Sequence, residues 1–305
     1  QLPSAEFELL RQSFDVVSAA VELDFCPVIE QGPRICLSLG ADPSLRWLRA
    51  VLSAPLAFAW LYTGDLATVR RECARWRVAA LERGNLLRVV EVTACLAIAE
   101  LYRGEVERSR ELLAEIEGSI DTGVFSVSAA AARFAHAAVL AYEGRFVEAI
   151  ALCKKTQRQA GRTGLLSLRL IRCILEDLLG RCELARLIAE GREASHLERR
   201  RIARRVTWLR VHGGVMGHGF AAVLCAGLAS FDGDPDSEAR AAWLEAEFAF
   251  SVCGFAAHLA AVRYRLDASG CDPSGHVRGG KARQYFEVQS IEAQRFCDLV
   301  APLYG

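Results

Sequence analysis

The segment GHVRGGKA, Gly275 to Ala282, comes nearest to a pattern that performs chemistry, matching the phosphate loop G-x-x-x-x-G-K-[ST] up to its last position. In that motif backbone N–H groups cradle phosphates, the lysine reaches them and the final hydroxyl holds Mg²⁺. Ala282 stands where the hydroxyl belongs, so the metal ligand is missing. A buried strand should lead into such a loop, whereas AAHLAAVRYRL reads as helix and SGCDPS as turn. The segment is read as a mobile, Gly-rich connector before a terminal helix, with Arg278 and Lys281 placed to meet an anion at that helix start.

The remaining reactive residue types are scattered. His212 and His218 are six apart, hence on different faces of one helix, and His136, His196, His258 and His276 are isolated. The 11 cysteines form no C-x-x-C pair, and those in apolar helical contexts, such as Cys95, Cys173 and Cys225, read as small core residues of a reducing cytosol. No G-x-S-x-G elbow, H-E-x-x-H pair or paired-carboxylate arrangement stands out, and Glu245 and Glu247 read as the wet side of a helix. No catalytic residue, metal ligand or cofactor is expected. In HLERRRIARRVTWLRVHGGVMGHG a long helix is expected to turn Arg199, Arg200, Arg204 and Arg205 to water, while Gly213, Gly214, Gly217 and Gly219 permit close helix approach. The other reading makes those arginines an anion patch, which with segment 278–281 would serve a small ligand, a nucleotide or a nucleic acid.

Composition bounds these alternatives. Lys plus Arg and Asp plus Glu both count 37, so no global field recruits nucleic acid or an anionic membrane, and neither is the expected partner. The 305 residues are 52% hydrophobic with only 8 prolines, enough apolar surface for a continuous helical core. The most apolar run, Val215 to Phe231, reads as too short and too Gly-rich for a bilayer span, no secretory signal is visible, and a cytoplasmic location follows. Opening at Gln1 rather than at methionine, the chain is expected to be a piece of something longer, with a neighbour upstream.

What positions these residues is a repeat. YTGD from Tyr62, YRGE from Tyr102 and YEGR from Tyr142 recur at intervals of 40, each beside alanine-rich apolar segments. That period marks stacked helix pairs. Aligned on glycine, the turns read GDLATV from Gly64, GEVERS from Gly104, GRFVEA from Gly144 and GRCELA from Gly180, with Gly233 a fifth instance before Pro235 and Asp236. Glycine supplies the left-handed residue closing one helix and the charged residue opens the next. First helices are predicted over Leu45–Thr63, Leu86–Arg103, Val124–Glu143 and Leu165–Leu179, and second helices over Leu66–Arg83, Val106–Glu117, Phe146–Ala160 and Cys182–Ser195. The expectation is one all-α domain, an α-α superhelix or solenoid of stacked helix hairpins. Residues 1–43 form an N-terminal partial repeat whose Ala5–Leu23 helix is the second of a truncated pair, 44–267 about five hairpins, and 268–305 the connector and C-terminal capping helices.

In such a stack Tyr62, Tyr102 and Tyr142 align as a ladder near the ends of the first helices, either packed under the next hairpin or exposed as an aromatic strip along the concave groove. On the second reading the groove would include Phe58, Glu91, Ala94, Ile98, Phe134, Ala138 and Asp177, and would receive a protein or peptide.

GRFVEAIALC resembles the tetratricopeptide repeat (TPR), with Gly144, Phe146, Ala149 and Cys153 at its glycine, aromatic, alanine and large-apolar positions. CGFAAHLAAVRYRL, from Cys253, and ARQYFEVQSIEAQRFCDLVAP, from Ala282, resemble the closing region of bacterial multidomain proteins that join a serine/threonine kinase to a STAND signalling ATPase and a repeat tail. Tyr285 and Phe286 stand at that family's aromatic–methionine pair, and Gln289, Ile291, Arg295, Ala301 and Pro302 match its ending. The resemblance implies a TPR-like, non-catalytic sensor or scaffold domain for signalling or defence, binding a partner or other domains of the same full-length protein. No kinase motif or intact phosphate loop is present in this chain, so neither catalytic activity carries over.

Overall fold

A computed structural model describes residues 4–39, 45–120, 125–191, 193–231, 238–268 and 275–302. Among them every regular element is helical, and no strand is present. The helices are α1 (Ser4–Val21), α2 (Cys26–Leu39), α3 (Arg46–Thr63), α4 (Leu66–Leu81), α5 (Leu86–Tyr102), α6 (Val106–Ile120), α7 (Val127–Tyr142) and α8 (Phe146–Arg162). They continue with α9 (Arg169–Glu190), α10 (His196–His212), α11 (Gly214–Phe231), α12 (Arg240–Cys253), α13 (Ala256–Ala268), α14 (Gly275–Gln289) and α15 (Ala293–Val300).

The repeated turns explain why the hairpins form. Gly64, Gly104 and Gly144 take φ of 78°, 84° and 77°, a region open to glycine at little cost. The following N–H in each case closes onto a carbonyl five residues back: Asp65 to Trp60 at 2.9 Å, Glu105 to Glu100 at 3.0 Å and Arg145 to Leu140 at 2.9 Å. This closure satisfies carbonyls that a helix end leaves orphaned. Asp65 then caps α4 by accepting from the Thr68 N–H at 3.1 Å.

Each helix from α1 to α11 packs against its successor, and the odd-numbered ones also touch each other in order, α1 to α3, α3 to α5, α5 to α7, α7 to α9 and α9 to α11. The odd helices therefore make a continuous inner layer. That layer curls back on itself, for α13 meets α3, α1 meets α9, and α15 meets both α7 and α9.

Four expectations are corrected. Gly180 does not mark a turn, because α9 runs through it without a break; a Cβ there would lie 2.6 Å from the Leu224 side chain, so the glycine admits α11 to close contact. The predicted Cys182–Ser195 helix is the second half of α9, and its partner is α10. The segment Gly275 to Ala282 is not a connector, because it lies inside α14; residues 269–274 lie outside the described residues. The N-terminal segment holds a whole hairpin, α1 with α2, rather than the second helix of a truncated pair. The basic and Gly-rich insertion is two helices joined at Gly213, and its glycines do allow close approach. A Cβ on Gly217 would meet the Leu209 carbonyl oxygen at 2.6 Å, and one on Gly219 would meet the Phe250 ring at 2.5 Å. The Gly233 turn lies outside the described residues.

Gly214–Phe231 is the one helix among the described residues long and apolar enough to cross a membrane, a criterion it meets despite the reading from sequence. It packs against α9, α10 and α12, and most of its side chains are buried there as in a core helix.

The glycines give a stability test with opposite signs. Gly217→Ala forces Cβ against backbone and should lower unfolding stability by about 1–3 kcal/mol in urea titration. Gly118→Ala, in α6 with open space around it, should be neutral or stabilising by up to about 1 kcal/mol.

Candidate binding site on the inner face

Seven of the residues predicted for a concave face converge: Phe58 and Tyr62 from α3, Ala94, Ile98 and Tyr102 from α5, and Phe134 and Ala138 from α7 line one cavity. Helix periodicity puts them there, since positions three and four apart share a face. Ile174, Leu178 and Arg181 of α9 complete one wall, and Leu299 of α15 closes it.

The occupant is the chain's own C-terminal segment. The Tyr285 hydroxyl donates to the Thr63 carbonyl. The Glu292 N–H donates to the Tyr102 carbonyl at 3.0 Å, and Phe296 meets the Tyr102 ring edge-on, with centroids 4.7 Å apart. Arg295 lies over the Tyr142 ring at 5.5 Å. Tyr62 faces the segment that precedes these, stacked on Phe255 at 4.7 Å and 5.1 Å from His258. Each rung of the ladder is thus met by a later element of the same chain. Burial drives the Tyr62 hydroxyl well above its usual range and lifts that of Tyr102 to about 12, so both stay protonated.

The three remaining predicted positions do not line this cavity. Tyr142 lines a neighbouring cleft of about 390 Å³ between α7, α9 and α15, and its buried hydroxyl has no hydrogen-bond partner. Glu91 pairs with Arg88 at 2.9 Å and accepts from the Ser128 hydroxyl at 2.9 Å, joining α5 to α7. Asp177 is buried one turn from Arg181 and receives three hydrogen bonds from it, the shortest 2.6 Å. Burial raises the Asp177 carboxyl, and the Arg181 charge opposes that rise.

Arg181, Arg265, Phe296 and Leu299 were not singled out by sequence. The spacing of four between Asp177 and Arg181 was the available sign of the first, because such pairs share a helix face. Arg181 donates to the Leu299 carbonyl at 2.6 Å and Arg265 to that of Ala301 at 2.8 Å.

The basic insertion is divided. Arg205 turns inward and pairs with Glu176 and Glu183 across α9, and Arg199 bonds the Ala194 carbonyl at 3.3 Å. Arg200, Arg204 and Lys281 are exposed, whereas the Arg278 side chain lies outside the described residues. The expectation that all four arginines face water therefore fails at Arg205, whose charge is already compensated. Burial raises the thiols of Cys182, Cys253 and Cys297 to about 12, which keeps them from acting as thiolates. Among the described residues no three His, Cys, Asp or Glu side chains converge as a metal site would require.

His258 is strongly altered by this packing. Phe220, Phe250, Phe255 and Tyr62 surround it, and its Nδ1 is buried without a partner. Burial, then the Arg181 charge, lowers its pKa to about 3.

No family model matches the chain, and neither a curated protein nor a solved structure matches it.

Because the unfolded imidazole titrates near 6.5, His258 favours the fold fully above that pH, and the benefit is lost as pH falls toward 3. Its contribution to the slope of stability against pH is up to about 1.4 kcal/mol per unit in that window. His258→Phe should flatten the acid limb in denaturant titrations from pH 7 to 4; an unaltered slope would show that this imidazole titrates normally.

Proposed function

We propose that the chain is a TPR-like α-α superhelical domain that works by binding, a non-catalytic interaction or sensor module of a larger bacterial, cytoplasmic signalling or defence protein, and that its inner face receives a protein or peptide. The observation that carries this reading is the helical segment already lodged on that face, its main chain bonded to α5 and α9 of the layer and to Arg265 of α13. A curved stack of hairpins offers such a segment a preorganised seat, which lowers the ordering cost of association.

The chemistry present supports binding over catalysis. The thiols that line the core are held protonated, and the most perturbed imidazole is neutral and walled in by rings. Aromatic rings, a few aliphatic side chains and paired arginines face the segment instead, the residue types that anchor interfaces. Among the residues that carry the family resemblance, Phe286, Ile291 and Ala301 are buried, Tyr285 bonds α3, and Arg295 covers Tyr142.

Tyr142 stands at the accessible rim of this face and Val147, 67% exposed, on the outer side of α8. Tyr142→Ala should reduce capture of a protein or peptide partner at least several-fold in a pull-down with unchanged helicity, and Val147→Arg should leave it intact. Capture that survives Tyr142→Ala and fails with Val147→Arg would move the partner to the outer surface.

A further inference from the structure

The way α15 is held separates recognition of a helix from recognition of its sequence. At its start the Glu292 N–H reaches the Tyr102 carbonyl at 3.0 Å; at its finish Arg181 and Arg265 reach the Leu299 and Ala301 carbonyls at 2.6 and 2.8 Å. Two guanidiniums at a helix C-terminus complement the negative end of its dipole. These bonds address main chain, so they fix the presence and direction of a helix and accept many sequences. Side chains add an apolar edge, with Phe296 against Tyr102 and Leu299 against the cavity wall, and polar contacts at Asp298, paired with Arg265 at 2.6 Å, and at Gln294, which accepts from the Tyr264 hydroxyl at 3.2 Å.

That edge fits its seat incompletely. About 60 Å³ stays unfilled in the cavity that Leu299 lines together with Phe58 and Phe134, and a cleft of about 390 Å³ runs along Arg295 and Asp298. Side chains facing a void lose contacts they would otherwise make, so a bulkier group at the Leu299 position gains. The linkage to α14 is short and turns at Ser290, which has φ 54°, while Tyr285 holds α14 to α3 separately. The anchor of α14 on α3 is thus independent of the bonds that hold α15, although Phe286 of α14 meets Phe296 of α15 at 5.9 Å.

We propose that α15 is an intramolecular stand-in for a partner, namely a short amphipathic helix of another protein with an aromatic residue followed three and four residues later by bulky apolar ones. The partner helix enters by exchange with α15, in the same direction, its carbonyl end at Arg181 and Arg265. This rests on the inner-face reading above and adds how the face is regulated and what it selects.

The test uses the intact chain and a fluorescent peptide spanning residues 290–302 with Ser at position 297. Anisotropy should show binding at least tenfold tighter to Phe296→Ala, in which the resident helix is weakened, than to the unaltered chain. A peptide with Phe at the Leu299 position should bind tighter still. Equal or absent binding to both chains, with Phe296→Ala folded by circular dichroism, overturns the exchange. Native-state hydrogen exchange decides the matter without a variant: α15 amides should open at lower denaturant than those of α5 and α7, and exchange only with global unfolding overturns the proposal. Release that turns the chain into a dimer overturns it as well, since a second copy is then the occupant. If α15 never opens yet partner capture still depends on Tyr142, exchange alone is wrong; if α15 exchanges with peptide but capture ignores Tyr142, the inner-face assignment of the partner is what fails.

Discussion

The inner layer depends on one buried ion pair. Asp177 and Arg181 lie a turn apart on α9, with side chains 2% and 12% exposed, and taking two such charges from water costs several kcal/mol each. Coulomb attraction alone does not offset this; good geometry with additional hydrogen bonds does. Arg181 spends three on Asp177 and sends a fourth across to the Leu299 carbonyl, so the chain's end helps to satisfy a charge buried near its middle. α15 thus completes the electrostatics of α9 while it covers Tyr102 and Tyr142.

That arrangement accounts for the tyrosines. A ladder spaced at 40 residues would ordinarily be either core or open binding strip, and here its rings are met by later parts of the same chain. Tyr62 meets Phe255, Tyr102 meets Phe296 and Tyr142 meets Arg295, three contacts with three points between positions 255 and 296. Edge-on and stacked aromatic pairs add about 0.5–1.5 kcal/mol each beyond the area they bury. The cluster also encloses His258 and fixes it neutral.

Much of the helical order was legible because the turn chemistry is local. Gly64, Gly104 and Gly144 each need a left-handed residue, and that need is written in the same tetrapeptide as the closure it permits. Gly180 looks identical in sequence, GR before an apolar residue, but its glycine answers to Leu224 on α11, a tertiary constraint with no local trace. The same reason hid the helical state of Gly275–Gln289, where Gly279 is close to Asp267 of α13. Of the inner face, periodicity on α3, α5 and α7 sufficed to bring seven side chains together. What fills that face was not legible, because no periodicity within hairpins records that the chain returns to its own middle.

The central claim is that the C-terminal helix occupies the inner face of the intact chain, and the contact between Tyr102 and Phe296 reports on it directly. With Tyr and Phe ring protons selectively labelled in an otherwise deuterated chain, nuclear Overhauser effects should connect these two rings, whose centroids are 4.7 Å apart. Absence of that cross-peak, together with a Phe296 ring accessible to a soluble paramagnetic probe, would contradict the account.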